Sequence, residues 1–302
     1  MSNIQLLSKI ALILNIEELV FSEDLVKDLD KEWQEIAREN SKAVFVYKII
    51  YKSQGHKVIG YIIEPRERES LPALICNRGG SREFGRIENN HLFVRLINRF
   101  ARNGYICITT QYSGNAGGEG VDEMGGSDVE DVLTLYKILK QYKRVDIKRV
   151  GMYGASRGGM MAYIVLSRVK WLKAVVVHAA SANLVNKEKF RPEMFEHYKE
   201  MFGGSLKEKK KRSALYFADK FPKRTPILMM HGTSDWRVNP IDSLKLAEKL
   251  QEYKVPYRLI MFEGGDHGLS EYKKESGGDA LNWFDRYVKN TEKLPNLKPH
   301  GD

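Results

Sequence analysis

The sequence has little cysteine, little proline and no long apolar run, and each shortage excludes a class of protein. It contains 2 cysteines in 302 residues. Cys76 and Cys107 each lie in an apolar, strand-like run and have no CxxC spacing, so we expect buried free thiols and neither a disulfide nor a metal site. The 9 prolines form no Pro-rich linker, and there is no internal repeat, so no boundary between independent domains is predicted.

Membrane and secretory proteins are excluded on the same grounds. No stretch approaches the roughly 20 apolar residues that a membrane-spanning helix needs. The early apolar run Ile10 to Ile16 is ended by Glu17 and Glu18 and has no small-residue cleavage site after it. We therefore interpret it as an amphipathic helix and expect a cytoplasmic protein that does not bind a membrane.

The charge is unbalanced, with a formal net charge of +10. The basic residues are scattered along the chain, and the one dense run, Lys207 to Arg212, has no interleaved aromatic residues and matches no nucleic-acid-binding module. This run is typical of a solvated helix face. We expect no nucleic-acid partner.

Strand-like and helix-like segments alternate along the chain, which predicts an α/β fold with a mostly parallel sheet covered by helices on both faces. An antiparallel hairpin is predicted from residues 43–51 and 57–63, which alternate apolar and polar around Ser53-Gln54-Gly55. Six further strands bring the total to eight, at residues 72–77, 105–110, 149–153, 172–178, 227–230 and 257–262. Helices are predicted at residues 91–102, 129–142, 158–169, 241–253 and 280–289.

Two segments depart from this alternation. In residues 1–42 apolar residues recur at helical spacing, which predicts an N-terminal helical extension. Residues 181–221 separate two strands that a loop of about two to six residues would join, so we expect a helical cap insert. The predicted organisation is an extension over 1–42, a catalytic domain over 43–290 that contains this insert, and a tail over 291–302.

The chemistry begins at Gly154-Ala155-Ser156-Arg157-Gly158, which stands between a predicted strand and a predicted helix. This is the G-x-S-x-G elbow in the context that it requires, because a nucleophile on a tight strand-to-helix turn leaves no room for a Cβ at the flanking positions. The helix N-terminus also favours a developing negative charge. Ser156 is the predicted nucleophile.

A serine hydroxyl needs a base, and the base needs an orienting carboxylate. Asp235 follows the strand 227–230, and His267 lies in a glycine-flanked loop after the last strand. The order Ser, Asp, His is that of the α/β-hydrolases. Asp266 is a rival carboxylate, but a residue adjacent to His267 is poorly placed to reach its ring, so Asp235 is preferred.

These residues closely resemble the catalytic domain of the prolyl oligopeptidase family, and the resemblance extends from about residue 45 to 290. It rests on the elbow, on His231-Gly232-x-x-Asp235-x-Arg237-Val238 and on Gly265-Asp266-His267. The runs Asn77 to Gly85 and Gln111 to Gly120 also contribute. The resemblance implies triad roles for Ser156, Asp235 and His267.

Two departures from the family affect the expected activity. The N-terminal β-propeller of the large members is absent from this sequence. The family peptidases usually carry a tyrosine just before the Gly-Gly pair, where this chain has Arg78. By analogy the backbone N–H of Arg157 supplies one oxyanion donor, and the second comes from the Arg78 guanidinium or from backbone N–H groups near Gly79 and Gly80.

Structural interpretations of the two arginines stay open. Arg157 is equally compatible with an ion pair to Glu123 or Asp128, and Arg78 with a surface position.

The resulting expectation is a serine hydrolase of the α/β-hydrolase fold that uses no cofactor and no metal ion. It cleaves small esters or short peptides through an acyl-enzyme. A carboxylesterase without peptidase activity and a non-catalytic binding protein on the same fold remain alternatives. A homo-oligomer is compatible with the sequence.

Overall fold

The computed structural model describes residues 2–66, 70–94, 96–185 and 187–301. The chain forms two compact units, the first from residues 1–122 and 130–149 and the second from residues 123–129 and 150–302. These boundaries differ from the predicted segments 1–42, 43–290 and 291–302. The described residues contain nine strands, where eight were predicted, in an α/β arrangement.

The first unit is built largely on strands. Its elements are α1 (Asn3–Leu7), β1 (Ile13–Glu18), α2 (Lys31–Ala43), β2 (Val44–Ser53), β3 (His56–Pro65), β4 (Leu71–Asn77), α3 (Leu96–Arg102), β5 (Ile106–Thr110), nearly all of α4 (Val129–Gln141) and the start of β6 (Val145–Ala155). The strands β1, β2, β3 and β5 pair antiparallel in that order, and β4 pairs parallel with β5. The predicted hairpin is β2–β3, which is in register from Val44↔Pro65 to Ser53↔His56.

The N-terminal prediction was partly wrong, because the segment that contains Ile13 is a strand and not a helix. β1 pairs antiparallel with β2, with Ile13 opposite Tyr51. Ile13 is buried, whereas most of the strand is exposed. An unpaired strand edge presents a row of N–H and C=O groups, and pairing with β1 satisfies that edge of β2. Helices α1 and α2 agree with the rest of the predicted extension.

The second unit alternates strands and helices. After the end of β6 it contains α5 (Arg157–Leu166), β7 (Val175–His178), α6 (Lys187–Phe190), α7 (Met194–Phe202), α8 (Leu206–Lys211), β8 (Ile227–Gly232), α9 (Pro240–Glu252), β9 (Tyr257–Phe262) and α10 (Lys273–Phe284). The strands pair parallel in the order β6-β7-β8-β9. Helices α6 to α8 lie between β7 and β8, within the residues 181–221 of the predicted insert.

Register aligns the carboxyl ends of these four parallel strands. Ala155 pairs with His178, His178 with Met230, and Met230 with Ile260. The loops that follow β6, β8 and β9 therefore begin at the same edge of this part of the sheet. Because ligands of open α/β sheets bind outside the carboxyl ends of the strands, this edge is the expected place for a site.

Smaller differences from the prediction concern the helix ends. The predicted helix 91–102 is a 3₁₀ turn at Asn90–Phe93 followed by α3, and Arg95 lies outside the described residues. The predicted helix 280–289 is the end of α10 followed by one π-helical turn. Cys76 and Cys107 are buried and free, as predicted. None of the helices in the described ranges is long and apolar enough to cross a membrane.

Candidate active site

The predicted elbow is a sharp turn from β6 into α5. Ser156 has φ 55° and ψ −120°, a left-handed backbone conformation that is strained for a residue with a Cβ. A Cβ at Gly154 would lie 2.2 Å from the carbonyl oxygen of Gly158, so glycine is required there. The backbone N–H of Ser156 donates to the carbonyl of His178 on the neighbouring strand at 2.8 Å. The turn therefore fixes Ser156 directly before the first turn of α5.

Arg157 is held by a buried ion pair, which decides between the two partners that the sequence left open. Its Nη2 donates to Oδ2 of Asp128 at 2.6 Å, and both side chains are almost fully buried. Asp128 also accepts from the backbone N–H groups of Gly125 and Gly126, at 2.9 and 2.8 Å. A buried charge is tolerated only when it is paired and hydrogen-bonded. The Arg157 side chain thus ties the elbow to residues 125–128.

Asp235 and His267 are in direct contact. Oδ2 of Asp235 accepts a hydrogen bond from Nδ1 of His267 at 2.7 Å. Oδ1 accepts from the backbone N–H groups of Arg237 and Val238, at 2.8 and 2.9 Å. Asp235 is only 3% exposed. This geometry fixes the Nδ1–H tautomer of His267 and leaves its Nε2 available to accept a proton.

Hydrogen-bond donors stabilise the ionised form of Asp235. Burial by itself raises the pKa of Asp235, but hydrogen bonds from His231 and His267 together lower it well below its ordinary value. The carboxylate is therefore ionised at any pH at which a histidine base operates.

A second histidine holds the same carboxylate oxygen, and sequence reasoning missed its role. Nε2 of His231 lies 2.9 Å from Oδ2 of Asp235 and 3.2 Å from the carbonyl oxygen of Val238. Its Nδ1 lies 2.7 Å from Oγ of Ser243 on α9. A carboxylate and a carbonyl only accept, so Nε2 carries a hydrogen and donates to them. The chain Ser243–His231–Asp235–His267 is continuous.

The strand-end loops that carry Asp235 and His267 pack backbone against backbone. A Cβ at Gly232 would lie 2.1 Å from the carbonyl oxygen of Gly265. Glycine at the end of β8 therefore permits the close approach that brings Asp235 to His267.

Asp266, the rival carboxylate, accepts hydrogen bonds within its own loop. It accepts from the backbone N–H of Gly268 at 2.9 Å, and from both the N–H and the hydroxyl of Ser270 at 2.8 and 2.9 Å. These bonds close the turn after His267 and lower the pKa of Asp266. Its role is to shape the loop, and the orienting contact to His267 belongs to Asp235.

His178 links the elbow to the histidine loop. Its carbonyl accepts from Ser156, as described, and its ring is close to His267. Burial and the neighbouring rings of His267 and His231 lower the pKa of His178 to about 4, with a smaller opposing effect of the Asp235 carboxylate. The Ser156 hydroxyl itself makes no hydrogen bond with any residue in the described part of the chain. Hydrogen bonds between nucleophile and base are often long before substrate binds.

Arg78, a predicted oxyanion donor, is 4% exposed and not a surface residue. Nε donates to the carbonyl of Gln111, Nη1 to those of Gly79 and Phe84, and Nη2 to those of Arg82 and Gln111, at 2.9 to 3.3 Å. These five bonds equal the five N–H groups of a guanidinium, which leaves none for an oxyanion.

The loop that Arg78 holds contains the predicted residues Gly79 and Gly80. Among the described residues the backbone N–H of Gly79 has no protein acceptor.

The insert between β7 and β8 is anchored to the loop that carries Asp235. Lys187 on α6 is 4% exposed, and its Nζ donates to the carbonyl of Arg237. Burial and the nearby Arg191 lower the pKa of Lys187 to about 8. The guanidinium of Arg191 lies 5.1 Å from the ring centre of Trp236. At the other end of the insert, Arg212 donates to the carbonyls of Met124 and Glu123.

The fold and this arrangement define a serine hydrolase of the α/β-hydrolase type. The family model that describes the prolyl oligopeptidase family matches residues 93–291, and the chain belongs to that family. In the described part of the chain, no three His, Cys, Asp or Glu side chains are grouped so that they could hold a metal ion.

Relatives named as peptidases support this membership. An uncharacterized peptidase YtmA of Bacillus subtilis is 28% identical over 75% of this chain and 88% of its own length. Dipeptidyl-peptidase 5 of Porphyromonas gingivalis is 25% identical over 78% of this chain and 37% of its own length. The Pyrococcus horikoshii acylaminoacyl peptidase superposes with a TM-score of 0.71 at 19% identity, over 84% of this chain and 44% of that structure. This chain thus spans under half the length of the latter two.

Proposed function

We propose that the protein hydrolyses amide bonds of short peptides, with Ser156 as nucleophile, His267 as general base and Asp235 as the orienting carboxylate. The observation that carries the proposal is the 2.7 Å contact between Asp235 and His267, in loops that begin at the same strand edge as the Ser156 elbow. The peptidase names of the relatives support an amide substrate.

In the proposed reaction His267 Nε2 takes the hydroxyl proton as Ser156 Oγ attacks the substrate carbonyl carbon. The tetrahedral intermediate collapses when the imidazolium returns that proton to the leaving amine. Water, deprotonated by the same nitrogen, then hydrolyses the acyl-enzyme and restores Ser156. Asp235 stays ionised and stabilises the imidazolium in both steps.

We assign the oxyanion to backbone donors. Arg157 opens α5 directly after the nucleophile, which is the position of the first donor in this fold. The Arg78 guanidinium is fully engaged and cannot be the second donor, whose identity stays a prediction from the family resemblance. Each such donor is worth about 3 kcal/mol of barrier.

The engagement of Arg78 also favours a second candidate, a carboxylesterase that acts on small acyl esters. Without the tyrosine donor usual in family peptidases, the oxyanion is stabilised by fewer hydrogen bonds. Hydrolysis of an ester requires less of this stabilisation than hydrolysis of an amide, because an alcohol is a better leaving group than an amine.

Substrate pairs separate the two activities. Turnover of alanine and proline p-nitroanilides is compared with that of p-nitrophenyl acetate and butyrate, each measured for the wild type and for Ser156→Ala. Ser156-dependent anilide hydrolysis supports the peptidase. Ester turnover with no Ser156-dependent anilide hydrolysis contradicts it and favours the esterase.

A further inference from the structure

A cavity of about 390 Å³ lies at the opposite end of the parallel strands of the second unit. One wall is residues 167–170, after α5, and the other is residues 220–224, before β8. Both segments precede strands, whereas the triad residues follow strands. β8 has six residues at about 3.3 Å each, so roughly 20 Å of strand separates the two ends. This cavity is therefore distinct from the candidate active site.

The lining is strongly basic, and we call it the basic cavity. Five of its eight lining residues are cationic and none is acidic: Arg168, Lys170, Lys220, Lys223 and Arg224. Val169 and Pro222 add apolar surface between them. Like charges held this close repel one another, and a bound anion would relieve that repulsion.

Most of these cations are not neutralised by the protein. Over the described ranges, Lys170, Lys220, Lys223 and Arg224 form no ion pair with an acidic side chain. Elsewhere in the same unit basic side chains do find acids: Lys209 pairs with Glu188. The basic cavity therefore has donors available for an external anion.

The walls are fixed in place before any ligand arrives. Oγ1 of Thr225 donates to the carbonyl of Leu172 at 2.9 Å, which joins the segment before β8 to the segment before β7. The rings of Tyr163 and Phe221 stack with centres 5.9 Å apart, and they join the end of α5 to the second wall. The backbone of the two walls is therefore held before binding, and the ordering cost falls on the exposed Lys and Arg side chains.

We propose that the basic cavity binds a compact polyphosphate anion, meaning two or three linked phosphate groups, free or as part of a nucleotide. Guanidinium groups pair with phosphate in a bidentate manner, and lysines add point charges. The volume lies in the range of small-molecule sites, about 300–1,000 Å³. The inference is independent of the proposed function, since the cavity shares no residue with the triad.

The test uses isothermal titration of the full chain with tripolyphosphate at low and moderate sodium chloride. The cavity variant is Lys220→Ala/Lys223→Ala/Arg224→Ala. The control variant is Lys207→Ala/Lys293→Ala/Lys298→Ala. It also removes three positive charges, but from exposed positions outside the cavity. We expect the cavity variant to lose affinity by about tenfold or more, since it removes three charged hydrogen-bond donors at once. The control should lose less than about twofold at moderate salt.

Four outcomes overturn the proposal. The wild type does not bind tripolyphosphate, both variants lose equal affinity, or citrate binds as tightly as tripolyphosphate. The fourth is that an RNA oligonucleotide binds the wild type and not the cavity variant, while tripolyphosphate does not bind at all. ATP separates the sources, because tighter cavity-dependent binding of ATP than of tripolyphosphate indicates a nucleotide, and equal affinity indicates the phosphate chain alone. All cavity residues changed are exposed. The circular dichroism spectrum of the cavity variant serves as the folding control, and it should be unchanged.

Discussion

Asp235 and Asp266 follow neighbouring parallel strands, and both lie near His267, but the structure uses them differently. Asp235 is buried and receives hydrogen bonds from two histidines and two backbone N–H groups. Asp266 is more open, and within the described part of the chain its carboxylate bonds to its own turn, at Gly268 and Ser270. The carboxylate that contacts the His267 ring comes from a different loop, and the carboxylate next to His267 in sequence does not contact that ring.

The largest expected effect comes from exchanging these two carboxylates for amides. In Asp235→Asn the amide N–H₂ would face Nδ1 of His267 and select the wrong tautomer, so kcat should fall by about 10⁴-fold. Asp266→Asn is the matched control and should change kcat by less than about threefold, because it alters only the turn. The measurement is steady-state kinetics on the preferred p-nitrophenyl or p-nitroanilide substrate. Equal losses in both variants would contradict the division of roles.

A smaller effect is expected from removing the second donor to Asp235. His231→Leu should lower kcat by about tenfold, which corresponds to one hydrogen bond to a charged group. Loss of that donor concentrates negative charge on the oxygen facing His267 and stabilises the imidazolium. The acidic limb of the pH profile of kcat/KM should therefore move to higher pH.

Ser243→Ala is the companion to this variant. It keeps the His231 ring in place and should have a weaker effect than His231→Leu. If His231→Leu leaves the pH profile unmoved and changes only the melting temperature, His231 has a packing role alone.

The smallest effect concerns stability in acid. The pKa of Asp235 is lowered in the folded protein, so its contribution to stability is present above its unfolded pKa, near 4, and is lost as pH falls through the folded value. Thermal melts between pH 7 and pH 3 should show a shallower loss for Asp235→Asn than for the wild type. Asp266→Asn should flatten the curve less, because its exposed carboxylate is screened by solvent. A steeper dependence in Asp235→Asn would contradict the charge assignment.

The elbow and the order of the triad were predictable because they are local: the glycines of the turn and the strand before each loop are adjacent in sequence to the residues that they position. The roles of Arg78 and His231 were not predictable in this way. The partners of Arg78 include the carbonyl of Gln111, 33 residues away, and His231 is held by Ser243 on a separate helix. β1 was missed because its pairing depends on the exposed edge of β2 rather than on its own pattern.

The central claim is that Ser156 is an activated nucleophile, and a serine-directed fluorophosphonate probe tests it most directly. We expect the wild type to be labelled once, at the peptide that contains Ser156, with no labelling of Ser156→Ala and much slower labelling of His267→Ala. Labelling of Ser156→Ala at the wild-type rate, or no labelling of a folded wild type, would contradict the account.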